Sequence, residues 1–550
     1  SEVLTSDHIS DVELCCTWYR IVYFTRRVVS QFLPTKVKIQ TLLIECRELF
    51  LIIKMFLEVF LSICLCWLLW FIITTHLSRQ SIPPGPFPLP IIGNAHQMGT
   101  NPPFSMEGIH KKYGEIYTLN LPVGRFVVVN SGRLAREALV AKKDDFSGRP
   151  GDAANFPLRN IFHGKDISFT DFGASFLFRR RIISSAFHVF GEGLHEAEAR
   201  VSKEVGYLLE WLGDSDGNPI SPHTGISNTM VNIMAEWLFS KRYDYQDPIL
   251  KELFNFNEKL LYVVQQGRIY QAFPFLKYLP SKVMKTLSEV LSTRDEFFGS
   301  QLNQHKDSYQ DDITRDITDA LIAEYNKEKS KKLDKSMGSK DDIKYFVMNI
   351  FVAASDTSAS VLTWFMLYMI IYKDVQEKIQ NEIDLVVGDH RSPNWKDAQN
   401  LPYLLSTICE VMRHSSFVPI NLPHKATRDS TIDGYLIPKE TTILFNFAAI
   451  HNDPRDWEEP REFKPERFLD ESGKFVGWNA LPNFFPFGAG RRMCPGENLG
   501  KLQVFILASN VLHQFCLKPV ENEPKASLKN YVPGPIIYPK QYNVCAVKRF

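Results

Sequence analysis

Apolar residues fall into three patterns along this chain, and each pattern predicts a different kind of element. The first is a run without charge, residues 59–75 (VFLSICLCWLLWFIITT), which residues 55–57 lengthen if Glu58 sits at an interface. That length approaches the ~20 residues an α-helix needs to cross a bilayer. The run outlasts a secretory h-region and lacks a small-residue cleavage site, so the expectation is a retained anchor helix over residues 55–76. The second pattern is β-branched alternation over residues 111–129 (KKYGEIYTLNLPVGRFVVV), broken at Gly114 and Gly124, which predicts a small strand pair. Shorter strand-like pieces return at 435–437 and 441–445. The third is apolar spacing of three and four residues over 194–211, 228–239, 343–372 and 374–387, which predicts helices. Helical spacing dominates, so the expected fold is mainly α with a small β region.

Between the anchor and the first strand signal, residues 83–90 read PPGPFPLP, whose prolines fix φ and favour an extended backbone. Residues 77–90 are therefore expected to form a semi-rigid hinge, and residues 91–550 a single catalytic domain. The charge-rich stretch 327–340 (KEKSKKLDKSMGSK) predicts a solvated linker before the longest helix. Residues 1–54 contain no methionine, and Met55 opens the apolar run. The expectation is that 1–54 are an atypical extension absent from the natural protein, with a genuine extension as the alternative.

The chain has 550 residues, 45% apolar and 23% charged, enough to bury a large core. Its 63 basic and 62 acidic side chains leave a net charge of +1, so no global field recruits nucleic acid, and none is expected as a partner. The nine cysteines show no paired CxxC spacing, which points to a reducing compartment and away from a disulfide framework.

The segment with most chemical content is 484–500, FFPFGAGRRMCPGENLG, which presents Cys494 just before an apolar-periodic helix over 497–512. Backbone N–H groups and the dipole at a helix N-terminus stabilise a thiolate. Gly488, Gly490 and Gly496 allow close approach of a flat group, and Arg492 supplies donors for a carboxylate on its rim. Taken alone, Cys494 reads as an ordinary buried free thiol, the commonest fate of an isolated cysteine. A second element, Glu410-Val-Met-Arg413, places opposite charges three residues apart on one helix face. A third, 351–358 (FVAASDTS), sets Asp356 beside Thr357 within a long helix. An acid next to an alcohol can relay protons, while the alternative for the hydroxyl is a bond to the carbonyl one turn earlier.

Phe487, Gly490, Arg492, Cys494 and Gly496 complete F-x-x-G-x-R-x-C-x-G, and here the chain resembles the cytochrome P450 superfamily. The 463–468 segment (FKPERF) is similar to that family's P-E-R-F element, and 351–358 to its A-G-x-D-T-T groove. Residues 413–419 (RHSSFVP) with Pro423-His424 look like animal microsomal aryl-hydrocarbon hydroxylases and steroid 17α-hydroxylases. The resemblance implies haem b (iron protoporphyrin IX) with Cys494 as axial thiolate and metal ligand, which favours O–O cleavage. It implies that Phe487, Gly488, Arg492, Arg149, Arg180 and His424 seat the cofactor, and that Asp356 and Thr357 organise proton delivery. Arg467 is expected to join Glu410 and Arg413 in a buried network.

Two departures stand out: Ala354 replaces the family's glycine in the groove, and Phe176 replaces the tryptophan of its W-x-x-x-R helix, losing an indole donor. The implied substrate is lipophilic (a steroid, xenobiotic or fatty-acid-like molecule) and walled by residues 161–169, 351–357, 418–422 and 536–537. The implied partners are NADPH-cytochrome P450 reductase and cytochrome b5, docking through Arg179, Arg181, Arg491 and Lys501. The implied location is the endoplasmic reticulum membrane, with a cytosolic catalytic domain. Two other readings stay open here: a haem-thiolate isomerase or synthase, for which Asp356-Thr357 would be superfluous, and a non-catalytic haem-binding protein.

Overall fold

The structure, a computed structural model, describes residues 36–99, 105–150, 156–191, 195–329, 338–523 and 527–550. It divides into two units, residues 1–80 and 81–550. The described part of the first is essentially one helix, α1 (Lys36–Leu77), 42 residues long. Its Arg47–Leu77 stretch has a mean hydropathy of 2.4 and none of its apolar window is buried, so it is long and apolar enough to cross a membrane. The helix does not begin at Met55, because no glycine or proline interrupts the sequence from Lys36 to Leu77. Residues 1–35 lie outside the described residues.

The second unit is built mostly from helices. Those that position the site are α2 (Ala174–Gly191), α3 (His195–Asp214), α4 (Pro222–Phe239), α5 (Pro248–Gln266), α6 (Ile343–Ile371), α7 (Lys373–Val386), α8 (Pro402–Ser415) and α9 (Glu497–Gln514). The predicted helices 194–211, 343–372 and 374–387 appear within three residues of their expected ends. The one predicted over 228–239 starts earlier, at Pro222, whose fixed φ suits a first helical turn although the polar residues after it hide the period. Centrally placed α6 packs on α4, α8 and α9 and buries Phe346, Phe351, Trp364 and Tyr368. Its length and hydropathy of 1.4 also suit a membrane, but 67% of its apolar window is buried, which makes it the core helix.

The strand pair forms as β1 (Ile116–Leu121) and β2 (Gly124–Val129), antiparallel with Ile116 opposite Val129. Chain segments from far downstream, β3 (His424–Lys425) and β4 (Thr442–Phe445), complete a four-stranded sheet in the order β1-β2-β4-β3. The β2–β4 pairing is parallel and β3–β4 antiparallel. Val127, Val129, Ile443, Phe445 and Phe485 form a second core beneath it.

The proline-rich segment differs from the expected free spacer. Thr118 donates its backbone N–H to the Pro84 carbonyl (2.7 Å) and its hydroxyl to that of Pro83 (2.9 Å). The segment thus covers the open edge of β1 and belongs to the catalytic unit from Ser81 onward. A Cβ on Gly85 would lie 2.0 Å from the Thr118 carbonyl oxygen, so glycine is required for this approach. Of the expected linker, residues 330–337 lie outside the described residues.

Glu410 and Arg413 on α8 are both fully buried and form a two-pronged pair, with Nε–Oε2 and Nη2–Oε1 both 2.7 Å. Arg413 also donates to the His451 carbonyl (2.6 Å) and the Pro460 carbonyl (3.0 Å), while Lys464 N–H (3.0 Å) and Arg467 Nε (3.4 Å) donate to Glu410. The network pins the loop leading to the Cys494 turn, and His451 Nε2 continues it by accepting from the Phe485 N–H at 3.1 Å. Removing one charge strands the other in the interior. Arg413→Ala is expected to lower unfolding free energy by about 3–5 kcal/mol in denaturant titration. The double variant Glu410→Leu/Arg413→Met is expected to recover a large part of that loss, because no buried charge is left unpaired.

Candidate functional site

The turn carrying Cys494 is locked by its own backbone. Cys494 N–H donates to the Phe487 carbonyl (2.9 Å), Gly488 N–H to Phe485 (3.2 Å) and Met493 N–H to Gly490 (3.2 Å). Gly490 adopts φ +70°, and a Cβ there would lie 1.8 Å from the Leu139 carbonyl oxygen, so no other residue fits. Gly488 also has φ +70°, but nothing lies closer than 4.0 Å to where its Cβ would be, which leaves room for a flat group over the turn. The half-buried thiol has its proton affinity raised by burial, opposed by the Gly496 N–H at the start of α9 and by the Arg180 charge. A metal overcomes that burial cost, because a coordinating thiol gives up its proton outright.

Around the thiol the fold gathers cations. Arg492 donates to the carbonyls of Ser147 (2.8 Å), Ile167 (3.1 Å) and Thr170 (2.9 Å), and its guanidinium stacks 3.6 Å from the centre of the Phe176 ring. Arg149 donates to the carbonyls of Ser168 (2.7 Å), Leu422 (3.0 Å) and Pro423 (2.8 Å). Burial, with Arg149 and Arg180 close by, pushes the affinity of Arg492 for its proton down to about 8. Burial likewise takes Arg149 down to about 10, despite Asp166 and Asp171. Arg180, lowered by burial, has no hydrogen-bond partner among the described residues, and its charge faces Cys494. Asp166 and Asp171 offset only part of the burial cost of Arg149 and Arg492, and a dianionic rim of carboxylates would offset more of it. The donor set therefore fits haem.

His424, on β3, donates Nδ1–H to the Phe146 carbonyl (2.6 Å) and accepts at Nε2 from Asn421 (3.4 Å). Burial, then Arg149, holds its proton affinity well below the ordinary value, so the ring is neutral. A carboxylate against Nε2 would favour the second proton. Phe487 supplies the carbonyl that Cys494 bonds, and its ring lies 6.2 Å from that of Trp478.

The other two candidate residues, Asp356 and Thr357, lie on α6. Ala353 is exposed and Ala354, Asp356 and Thr357 half-buried, whereas Ser358–Ile370 are closed into the core. Ala354 does not interrupt the helix, which runs unbroken from Ile343 to Ile371. Thr357 donates its hydroxyl to the Ala353 carbonyl (2.7 Å), the bond one turn back that its sequence position permits. Asp356 turns instead to Asn257 of α5, whose Nδ2 is 3.3 Å from its Oδ1. The two side chains are thus adjacent without being bonded to each other.

Two members of the expected docking patch are not on the surface. Arg179 is buried and donates to Gly164 O (2.6 Å), Asp166 O (3.3 Å) and Thr170 Oγ1 (2.9 Å). Lys501 is buried against Glu497, with its ammonium 5.1 Å from the Trp478 ring. Both follow helix periodicity that puts them on the inner side of α2 and α9. Arg181 and Arg491 are exposed, the latter paired with Asp144. Among the expected substrate walls, Ile161 is fully buried in the core, while Phe169, Val418 and Ile536 are half-buried. Ile537 is anchored: its carbonyl accepts from Ser360 (2.7 Å) and Trp364 (2.9 Å), and its N–H donates to Phe417 O (2.8 Å).

Sequence reasoning missed Asn257. It stands in the apolar stripe Leu250, Leu253, Leu260 of α5, so a polar residue in a core register was the available signal.

Residues 83–546 match the family model for cytochrome P450. Cytochrome P450 2E1 of Oryctolagus cuniculus is 34% identical over 480 residues, covering 86% of this chain and 94% of the relative. Steroid 17-alpha-hydroxylase/17,20 lyase of Ictalurus punctatus is 33% identical over 468 residues (84% and 90%), and that of Rana dybowskii 33% over 466 (84% and 89%).

Burial raises Asp356 from the ordinary 3.8 to about 7, with the Glu258 charge adding to it and Asn257 opposing. The folded chain therefore binds more protons than the unfolded one between those values, so stability present below pH ~4 is lost as pH rises through ~7. Relative to Asp356→Asn, wild-type unfolding free energy is expected to fall by about 4 kcal/mol between pH ~4 and pH ~8, measured by denaturant titration.

Proposed function

The chain belongs to the cytochrome P450 family, and from that premise we propose that it inserts one atom of O2 into a lipophilic substrate, with electrons from NADPH through a reductase. It is an oxidoreductase of monooxygenase type whose cofactor is haem with a cysteine thiolate ligand. The observation that carries the assignment of residues is the half-buried Cys494 thiol facing the Arg180 charge, with Arg149 and Arg492 both depressed by burial. Cys494 would ligate the iron, and bound haem would supply dioxygen activation.

The other residues act around that group. Arg492, Arg149, Arg180 and protonated His424 would neutralise its carboxylates, and Phe176 keeps Arg492 in place by stacking but offers no donor of its own. Phe487 and Gly488 shape the turn that would support it. Asp356, able to hold a proton at neutral pH, serves as acid on the open face of α6. The Thr357 oxygen, whose own hydrogen is held by Ala353, is free to accept and pass on a proton.

Half-buried Phe169, Val418 and Ile536 offer apolar surface suited to a steroid, xenobiotic or fatty-acid-like substrate, in keeping with the steroid named in two relatives. The unburied α1 supports a membrane anchor, with the catalytic unit on the cytosolic face of the endoplasmic reticulum. Exposed Arg181 and Arg491 support docking of NADPH-cytochrome P450 reductase or cytochrome b5.

Reconstitution with the reductase under isotopically labelled dioxygen tests this reading. One labelled atom is expected in each product molecule, and product that forms without label or NADPH would identify an isomerase instead. Arg492→Ala is expected to weaken haem retention by about 1.5–3 kcal/mol, roughly 10- to 100-fold, read from haem transfer to an acceptor apoprotein.

A further inference from the structure

The contact between α5 and α6 holds a pairing that needs a proton. Asn257 is buried, and its Nδ2 donates towards Asp356 Oδ1 (3.3 Å) and Ser355 Oγ (3.4 Å). Ser355 spends its own hydrogen on the Phe351 carbonyl, so it must accept from Asn257, which fixes the orientation of the amide. Two buried atoms of this pair are left without partners: Asn257 Oδ1 and Asp356 Oδ2. With Asp356 ionised both are acceptors, and each carries the cost of an unsatisfied buried group. A single hydrogen on Asp356 Oδ2, donated to Asn257 Oδ1, would satisfy both atoms at once and close a two-point amide–carboxylic acid pair.

Among the described residues, no neighbour donates to either atom. Tyr538 gives its hydroxyl to the Asp356 backbone carbonyl (2.7 Å) and not to the side chain. His223 of α4, edge-on to Tyr538 at 5.1 Å, has its proton affinity lowered by burial, which disfavours a positive charge there. Glu258, exposed beside Asn257 on α5, adds negative charge that favours the protonated acid and lies at the solvent side of the contact.

We propose that Asn257 is a positioning residue that stores the proton of Asp356 in a two-point amide–carboxylic acid pair, reloaded from water past Glu258. The step is a proton transfer alone: the Oδ2–H bond breaks and its proton passes by way of water to the Thr357 oxygen, the carboxylate remains, and one proton from bulk solvent re-forms Oδ2–H. The proposal rests on the assignment of Asp356 as the acid above, but the pairing is observable without turnover.

Infrared difference spectra of the full-length ferric protein between about pH 5 and pH 9 test it. A carboxylic C=O band, absent in Asp356→Asn, is expected to disappear with a midpoint near 7. Asn257→Leu should move that band to higher frequency through loss of its hydrogen bonds, Asn257→Gln should restore it in part, and Glu258→Gln should lower the midpoint. Absence of any band sensitive to Asp356→Asn, or a band unmoved in Asn257→Leu, would overturn the pairing. Product formed per NADPH in Asp356→Asn reports separately on delivery: a fall of tenfold or so supports it, and an unchanged yield refutes that role while leaving the pairing intact.

Discussion

Arg492 is the tie on which this structure turns. One guanidinium holds the thiol-bearing turn to the carbonyls of Ser147, Ile167 and Thr170 and lies flat on Phe176 of α2. Two regions of chain distant in sequence, residues 147–176 and the turn at Arg492, meet there, in an interior where a cation is costly. Arg149 and Arg180 add to the cost. Such concentration of buried positive charge is tolerable when an anionic group completes it, which is why the charge arrangement and the Cys494 thiol point to the same cofactor.

The surrounding fold supplies rigidity from two sides. The Glu410–Arg413 pair fixes α8 and, through His451, reaches Phe485 at the start of the Cys494 segment. The sheet fixes His424 through pairing of β3 with β4. On α6, Ser358–Ile370 are closed into the core, while Ala353, Ala354, Asp356 and Thr357 are open to partial exposure.

Much of this was legible in the chain itself. Spacing gave α3, α6 and α7 to within a few residues, and the strands over 116–129 and 435–437, because local periodicity reports which face is buried. The motif around Cys494 marked the turn, and Gly490 is explained by the Leu139 carbonyl 1.8 Å from its would-be Cβ. What sequence could not carry were non-local facts. The edge of β1 that captures Pro83 and Pro84 is invisible to a reading of prolines as a spacer. Arg179 and Lys501 read as surface charges until the inner faces of α2 and α9 are known. Asn257 becomes informative only when α5 is laid against Asp356.

The central claim is thiolate ligation of haem by Cys494, and the difference spectrum of the reduced protein with carbon monoxide tests it most directly. The account predicts the red-shifted Soret band of a thiolate-ligated iron in the wild type and its loss in Cys494→Ala. Persistence of that band in Cys494→Ala, or its absence from haem-loaded wild type, would contradict it.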